Sequence, residues 1–359
     1  FSDSLVQDCG DSGDSGGSWE RSKMCGTDAG DNHPLSDPKF VETVVRAEAP
    51  TLSGNLRLRP ESPVLDVGNN SVIQDGVTTD TDGRQRIHNT TVDLGAYELQ
   101  VRCASATAKR LYVDKDATGA NTGLDWDNAF HTLQDALFMD QPDADLGCGT
   151  DAVDEIWVAE GIYYNSEGPY ENPGPYGLIK PRSTGFDFSS TALKIYGGFQ
   201  GNESELEERD WVAHPTVLSG DLERNDLQVN GVVVSADGIV GENSINVFRN
   251  IQKSSTTELN GFTLTGGKAD SLDSLLPGGR KGGGFFGYTT GVGLRHLVFS
   301  GNYANDGGGL YMEHSESILE DLSFVNNRAN GNGGGMVSAD NPSVKLSNGH
   351  FSGNSAGDH

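Results

Sequence analysis

Over its last hundred residues the chain alternates short apolar runs with clusters of glycine, asparagine and aspartate. Triple glycines at 282–284, 307–309 and 333–335 are spaced 25 and 26 residues apart. Phe299, Phe324 and Phe351 are spaced 25 and 27. Each phenylalanine is followed by an asparagine (Asn302, Asn327, Asn354) and then by an alanine (Ala304, Ala329, Ala356). The unit reads Leu-x-Phe-x-x-Asn-x-Ala, a polar turn, three glycines and an apolar strand such as Leu310-Tyr311-Met312. Residues 259–267, with Phe262 as the aromatic, read as an earlier copy, followed by an insertion over roughly 268–281.

Short alternating apolar segments between turn clusters predict strands. A unit of about 25 residues is too short for a helix pair and suits about three short strands bent into one coil. Coils stacked about 4.8 Å apart place each phenylalanine over the next. Burial of each ring then contributes about 2–3 kcal/mol. Stacked asparagine amides can pass hydrogen bonds from coil to coil at the bends. The predicted solenoid stack is Phe262, Phe299, Phe324 and Phe351 with Asn302, Asn327 and Asn354. The expected fold class is all-β, a parallel β-helix.

Upstream, residues 110–114, 155–159, 192–196 and 216–218 read as strands of the first coils. Ala129, Phe130, Leu133, Ala136 and Leu137 form a helical apolar stripe, predicting a capping helix near 127–139 that starts at Asp127 or Asn128. Such a helix would cover the unpaired edge of the first coil. The segment 163–182, rich in Pro, Gly and Tyr, is expected to project as a loop. Tyr163, Tyr164, Tyr170 and Tyr176 there are candidates for a sugar-stacking platform, against the plainer expectation that they pack onto the rod.

LYVDKDATGANTGLDWDNAFHTLQDAL, DEIWVAEGIY, KIYGGFQGNESELEERDW and TVLSGDL together resemble the opening of secreted bacterial right-handed β-helix repeat proteins. The coils carrying FSGN and FVNN resemble polymorphic outer-membrane-protein repeats. This resemblance covers most of 109–359, and the right hand of the helix is what it implies. Residues 1–100 resemble the opposite end of such a protein. The opening residues 1–6 look like a last solenoid strand. The later segments SPVLDVG, DTDGRQRI and VDLGAYE are similar to a choice-of-anchor Q closing module, a small β-rich domain. The expected organisation is a β-helix end and closing module over 1–100, a linker over 101–108, and a β-helix with its capping helix over 109–359.

A closing module followed by an opening one is the reverse of the usual order. It predicts either a window from a tandem array or a subunit whose module seals a neighbour. The repeat spacing puts the chain's last residue in mid-coil, and residue 1 reads as mid-strand. Unpaired strand edges recruit further strands. Head-to-tail assembly is therefore expected, with Phe1, Leu5, Val6 and Phe351 at the interface and the chain itself as partner.

The charge balance agrees with a surface role. Twenty-five basic and 52 acidic residues give a net charge of −27 over 359 residues. That excludes nucleic acid and anionic membrane as partners, because like charges repel. Glycine, 49 of 359, stands at about twice the ordinary share. Only 35% of residues are apolar, as suits a narrow solenoid with few inward positions. No apolar run is long enough for a bilayer-spanning helix, and the N-terminal residues show no signal peptide.

Cys9, Cys25, Cys103 and Cys148 match no zinc spacing. Disulfides Cys9–Cys25, stabilising by about 3 kcal/mol, and Cys103–Cys148 are the economical reading, with unpaired buried thiols as the alternative. Four such cysteines favour an extracellular or cell-surface location. Asp80 and Asp82, and Asp114 and Asp116, sit in oxygen-rich loops that are candidates for calcium, with solvated turn acids as the alternative. An EF-hand is excluded because Thr78 and Asn89 occupy its first and twelfth positions. Three N-x-Ser/Thr sequons begin at Asn69, Asn89 and Asn202.

Gly13-Asp14-Ser15-Gly16-Gly17 matches the nucleophile pentapeptide of trypsin-like proteases. No histidine precedes it to activate the hydroxyl, so it reads as a turn-rich loop. Pectin-active enzymes also use β-helices, but the NTD, DD, GHG and RIK motifs of polygalacturonases are absent. No catalytic residue is assigned. The expected function is a structural or adhesive extracellular protein, a rigid acidic rod. The runner-up is a carbohydrate-active β-helix, either enzyme or glycan binder.

Overall fold

The computed structural model describes residues 62, 64–74, 76–81, 86–87, 91–99, 108–119, 121–139, 153–165, 182, 185–188, 192–251, 257–271, 278–289, 291–340 and 344–357, with short strands at 5–6, 33–34, 40–42 and 55–58. The chain is mostly β and divides into two compact units. One comprises Phe1–Ala104 with Ala120–Thr122; the other comprises Ser105–Gly119 and Gly123–His359. Among the described residues no helix is long and apolar enough to cross a membrane.

In the first unit, β1 (Leu5–Val6) runs parallel to β2 (His33–Pro34), and β3 (Phe40–Glu42) antiparallel to β4 (Asn55–Leu58). Leu58, Val64, Leu65 and Leu94 form a small core. Beside it three buried carboxylates hold the backbone together. Asp93 accepts from the amides of Asp66 (2.7 Å) and Leu99 (2.7 Å), Glu98 from Asp93 (3.0 Å), and Asp80 from Glu98 (2.9 Å). Arg86 supplies the positive charge, 2.9 Å from Glu98. Such charge-assisted bonds hold irregular backbone in place.

The second unit is built of parallel strands stacked in coils. One large sheet contains β5 (Arg110–Val113), β6 (Glu155–Ala159), β7 (Gly161–Tyr164), β9 (Lys194–Phe199), β10 (Thr216–Ser219), β14 (Thr257–Asn260) and β15 (Phe262–Thr265). It continues through β18 (Val292–Ser300), β21 (Ile318–Val325), β24 (Lys345–Ser347) and β25 (His350–Ser352). A second sheet holds β8 (Phe186–Asp187), β13 (Phe248–Ile251), β17 (Phe285–Tyr288), β20 (Leu310–Glu313) and β23 (Met336–Ala339). The third is β16 (Lys268–Ala269), β19 (Tyr303–Ala304) and β22 (Arg328–Ala329). The chain visits the three sheets in turn (β18, β19, β20, then β21, β22, β23), a solenoid-like path.

The register stacks like on like. Leu259, Leu294, Leu319 and Leu346 form one column; Leu264, Phe299, Phe324 and Phe351 form another. Phe299 and Phe324 stack with ring centroids 4.9 Å apart, Phe324 and Phe351 at 4.7 Å. Leu264, and not Phe262, is the residue beside Phe299. The register is set at the corner, where Gly261 (φ 85°) and His296 (φ 51°) turn through the same left-handed conformation, each three residues before its column position. Phe262 is buried one inward position earlier.

Three further expectations are corrected. The helix α1 (Leu133–Met139) begins later than the apolar stripe suggests, because Phe130 bridges Val113 as an extra strand residue. Thr132, which accepts the Asp135 amide through Oγ1 (3.2 Å), stands at its start instead of Asp127 or Asn128. Tyr163 and Tyr164 lie in β7, not in the projecting loop, and Tyr163 is fully buried with its hydroxyl donating to the Ala159 carbonyl. Lys268 and Ala269 belong to the coil as β16, so the insertion starts after them.

Residues 221–243, which include the antiparallel pair β11 (Gln228–Val229) and β12 (Val232–Val233), lie along the stack as a strap. The Val233 amide donates to Thr265 Oγ1, the Val233 carbonyl accepts from Ser300 Oγ, and the Val234 carbonyl from Asn326 Nδ2. Thr265, Ser300 and Asn326 belong to three successive coils.

Candidate functional site

The outward side chains of the large sheet form two columns. Tyr112, Trp157, Tyr196, Asn260, Arg295 and Glu320 stand in one; Arg110, Glu155, Lys194 and Glu258 stand in the next. At the upper end Trp157 is fully buried between Phe199 (4.5 Å, stacked) and the Arg110 guanidinium, which lies 3.6 Å over its ring. Arg110 in turn meets Glu155 at 3.2 Å. Further along, Arg295 pairs with Glu258 (3.8 Å) and with Glu320. The carboxylates of this flank are thus each engaged by arginine.

A second group crosses over these columns. The excursion after β9 brings Arg209 and Trp211 back onto the sheet. Arg209 donates from Nη1 to the Gly197 carbonyl (2.9 Å) and from Nη2 to Asn260 Oδ1 (2.8 Å). Its guanidinium lies between the Tyr196 and Trp211 rings, 5.2 and 4.9 Å from their centroids. Burial, and then the Glu258 and Glu155 carboxylates, push the Tyr196 phenol up to about 12, so it stays neutral. Burial also lowers the Arg209 pKa. Trp211 covers His296 at a ring separation of 4.2 Å.

On the inner side of the coils an asparagine ladder closes the bends. Asn327 Oδ1 accepts from the backbone amide and from Nδ2 of Asn302, both at 3.0 Å, and Asn354 Oδ1 does the same for Asn327. The remaining amide protons go to the carbonyls of Leu264, Phe299 and Phe324. Asn302 and Asn327 therefore have both ends of their side chains satisfied inside the stack, Asn302 Oδ1 accepting the Gly267 amide.

The other sequence candidates fall elsewhere. Asp80 is buried in the first unit on the Glu98 amide. Asp114 accepts the Asp116 amide at 2.9 Å, and burial raises its pKa; Asp116 pairs with Lys115. Among the described residues no three His, Cys, Asp or Glu side chains converge so as to hold a metal ion. Asp82, the four cysteines, Tyr170, Tyr176 and Phe1 lie outside the described residues, as do the side chains of Leu5 and Val6. Phe351 is half exposed at 50% while stacked on Phe324. The first unit also carries a cavity of about 440 Å³ lined by Val72, Ile73, Val77, Arg86, Asp93 and Leu94 among others.

His296, Arg209 and Trp211 were not singled out from the sequence. For His296 the signal was there: His296, Asp321 and Asn348 each precede a stacked phenylalanine by three residues. Arg209 and Trp211 close the segment KIYGGFQGNESELEERDW that carries part of the resemblance, but the excursion has no repeat that would mark their place against His296. No family model, no curated protein and no solved structure matches this chain.

Proposed function

We propose that this chain is a structural element of an extracellular surface protein: a rigid, acidic, right-handed parallel β-helix, preceded by a closing module, that extends by addition of further coils end to end. The observation that carries the reading is the asparagine ladder from Asn302 through Asn327 to Asn354, running beside the Phe299–Phe324–Phe351 stack. A column of identical bonds at each turn makes the coils repeat without change, which a rod requires and an isolated binding pocket does not. The net charge of −27 keeps such rods apart sideways while leaving end-on pairing through backbone groups open. The reading also carries the likeness to secreted β-helix repeat proteins and to the choice-of-anchor Q module. In it the half-exposed Phe351 receives the next aromatic of the stack, from the same polypeptide or from another copy.

Electron microscopy of purified protein over a range of concentrations tests this. Elongated particles that lengthen end to end with concentration, with fibre diffraction near 4.8 Å along the axis, are expected. Particles that stay short at every concentration and bind an acidic glycan would instead favour the carbohydrate-active reading.

A further inference from the structure

The corner between the two halves of each coil carries a second ladder. Gly261, His296, Asp321 and Asn348 occupy the same left-handed position in successive coils, with φ of 85°, 51°, 52° and 55°. His296 Nδ1 lies 3.0 Å from Asn260 Oδ1, and Nε2 lies 3.2 Å from Asp321 Oδ2. Asp321 Oδ1 accepts from Asn348 Nδ2 at 2.9 Å.

Both partners of the imidazole are acceptors. Asn260 cannot present its amide hydrogens instead, because Nδ2 donates to Glu258 Oε1 (2.8 Å) while Oδ1 already accepts from Arg209 Nη2. Asp321 is a carboxylate. A neutral imidazole has one N–H, so it can serve only one of the two acceptors; the imidazolium serves both. We infer that His296 is a proton-operated bolt: when protonated it ties Asn260 of the preceding coil to Asp321 of the following one, and when neutral it releases Asn260.

The released side follows from acceptor strength. The single proton of the neutral ring stays on Nε2, because the Asp321 carboxylate is the stronger acceptor. Asn260 Oδ1 is then left to Arg209. The groups facing the ring are Arg209 and Trp211 from the excursion, Glu258 and Asn260 from β14, Arg295 beside it on β18, and Glu320 and Asp321 from β21. Burial lowers the His296 pKa from 6.5; Asp321 opposes this, Arg209 and Arg295 add to it, and Glu258 opposes it. The bolt is therefore open at neutral pH and closes in acid. Because folding lowers this pKa, the group's contribution to global stability is complete above about 6.5 and is lost as pH falls through the lowered value. The same acid step closes the local link to Asn260.

The Gly261 amide, which donates to the Arg295 carbonyl across this corner (3.1 Å), reports the link. Ring-nitrogen NMR of the full chain should show Nε2–H with a bare Nδ1 at neutral pH and both nitrogens protonated below the midpoint, which lies under 6.5. Gly261 exchange, corrected for its intrinsic pH dependence, should slow about tenfold over the same interval. His296→Asn, which places at this corner the residue that Asn348 provides two coils further on, should abolish the step in Gly261 exchange. Asp321→Asn should move the ring's midpoint lower still. An Nδ1 that stays protonated throughout, a midpoint at or above 6.5, or Gly261 exchange indifferent to the ring's titration would each overturn the bolt. The ring measurement on the unaltered chain decides the matter even if a variant does not fold.

Discussion

Asn327 Oδ1 receives two hydrogen bonds from Asn302, one from its backbone amide and one from its side chain, both at 3.0 Å. Asn327 is fully buried and repeats the pattern toward Asn354. Replacing it by alanine strands the backbone amide and one side-chain N–H of Asn302 and takes a donor from the Phe299 carbonyl, while Asn354 Oδ1 keeps the backbone amide of residue 327. Asn327→Ala should therefore cost about 3 kcal/mol or more, several unmet buried groups at roughly 1–3 kcal/mol each. Asn354→Ala, at a partly exposed rung, should cost visibly less. Chemical denaturation of the two variants side by side checks the ranking.

The aromatic column should show the same gradient. Phe324 is fully buried between Phe299 and Phe351, so Phe324→Ala should cost about 3–5 kcal/mol through the cavity it leaves. Phe351 is 50% exposed, so Phe351→Ala should cost less than half as much. Equal losses in thermal or denaturant unfolding would mean that the second unit does not unfold as a graded stack.

Asn250 interrupts an inward apolar column. It is fully buried on β13, in register with Gly287, whose partner on the other side is Met312, and neither its Oδ1 nor its Nδ2 has a hydrogen-bond partner. Asn250→Leu, which has the same side-chain branching and heavy-atom count, should raise stability by about 1–2 kcal/mol, since two unmet polar atoms leave the interior. Loss of stability in this variant would show that the asparagine does structural work that its contacts do not reveal.

The strap is anchored by a carboxyl with an upward-shifted pKa. Asp226 accepts from the Val240 amide (2.6 Å) and from Asn243 Nδ2 (2.8 Å), and burial pushes it up to about 6. The folded value lies above the ordinary 3.8, so this group favours folding below about 4 and loses that contribution as pH rises through about 6. A carboxyl carbon titration by NMR should place Asp226 near 6. In Asp226→Asn the fall in stability across this window should be smaller, measured as unfolding free energy against pH.

Close approach between coils makes some glycines irreplaceable and others not. A Cβ on Gly308 would stand 2.4 Å from the Gly334 carbonyl oxygen and 2.5 Å from that of Arg328, both backbone atoms that cannot move aside. On Gly293 the nearest atom is a Glu258 side-chain carbon at 3.5 Å. Gly308→Ala should cost several kcal/mol in denaturant unfolding, whereas Gly293→Ala should be neutral or slightly stabilising.

The repeat in the last hundred residues made much of this legible. Identical spacing of Phe299, Phe324 and Phe351 requires that they occupy equivalent places, and the same spacing carries the His296–Asp321–Asn348 corner. The earlier copy was misaligned at Phe262 because matching aromatics is a weaker constraint than matching the corner. Both Phe262 and Leu264 face inward, so composition alone could not choose between them. The helix start failed for a related reason: Ala129 and Phe130 fit a helical stripe, but Phe130 found a strand partner in Val113 that local sequence does not display.

Period and turn chemistry were written in the chain, because a coil can stack on itself only if like residues recur at like distances. That determined a mostly β, parallel, coil-by-coil architecture, and it named the asparagines that close the bends. What meets across the coils was decided in space. Arg209 and Trp211 reach His296 over 85 or more positions of chain, and the strap crosses three coils in one direction, through contacts set by an irregular excursion and not by any repeat. Local preferences act over a few residues, so a hydrogen bond whose two ends lie that far apart is specified only when the whole stack has formed.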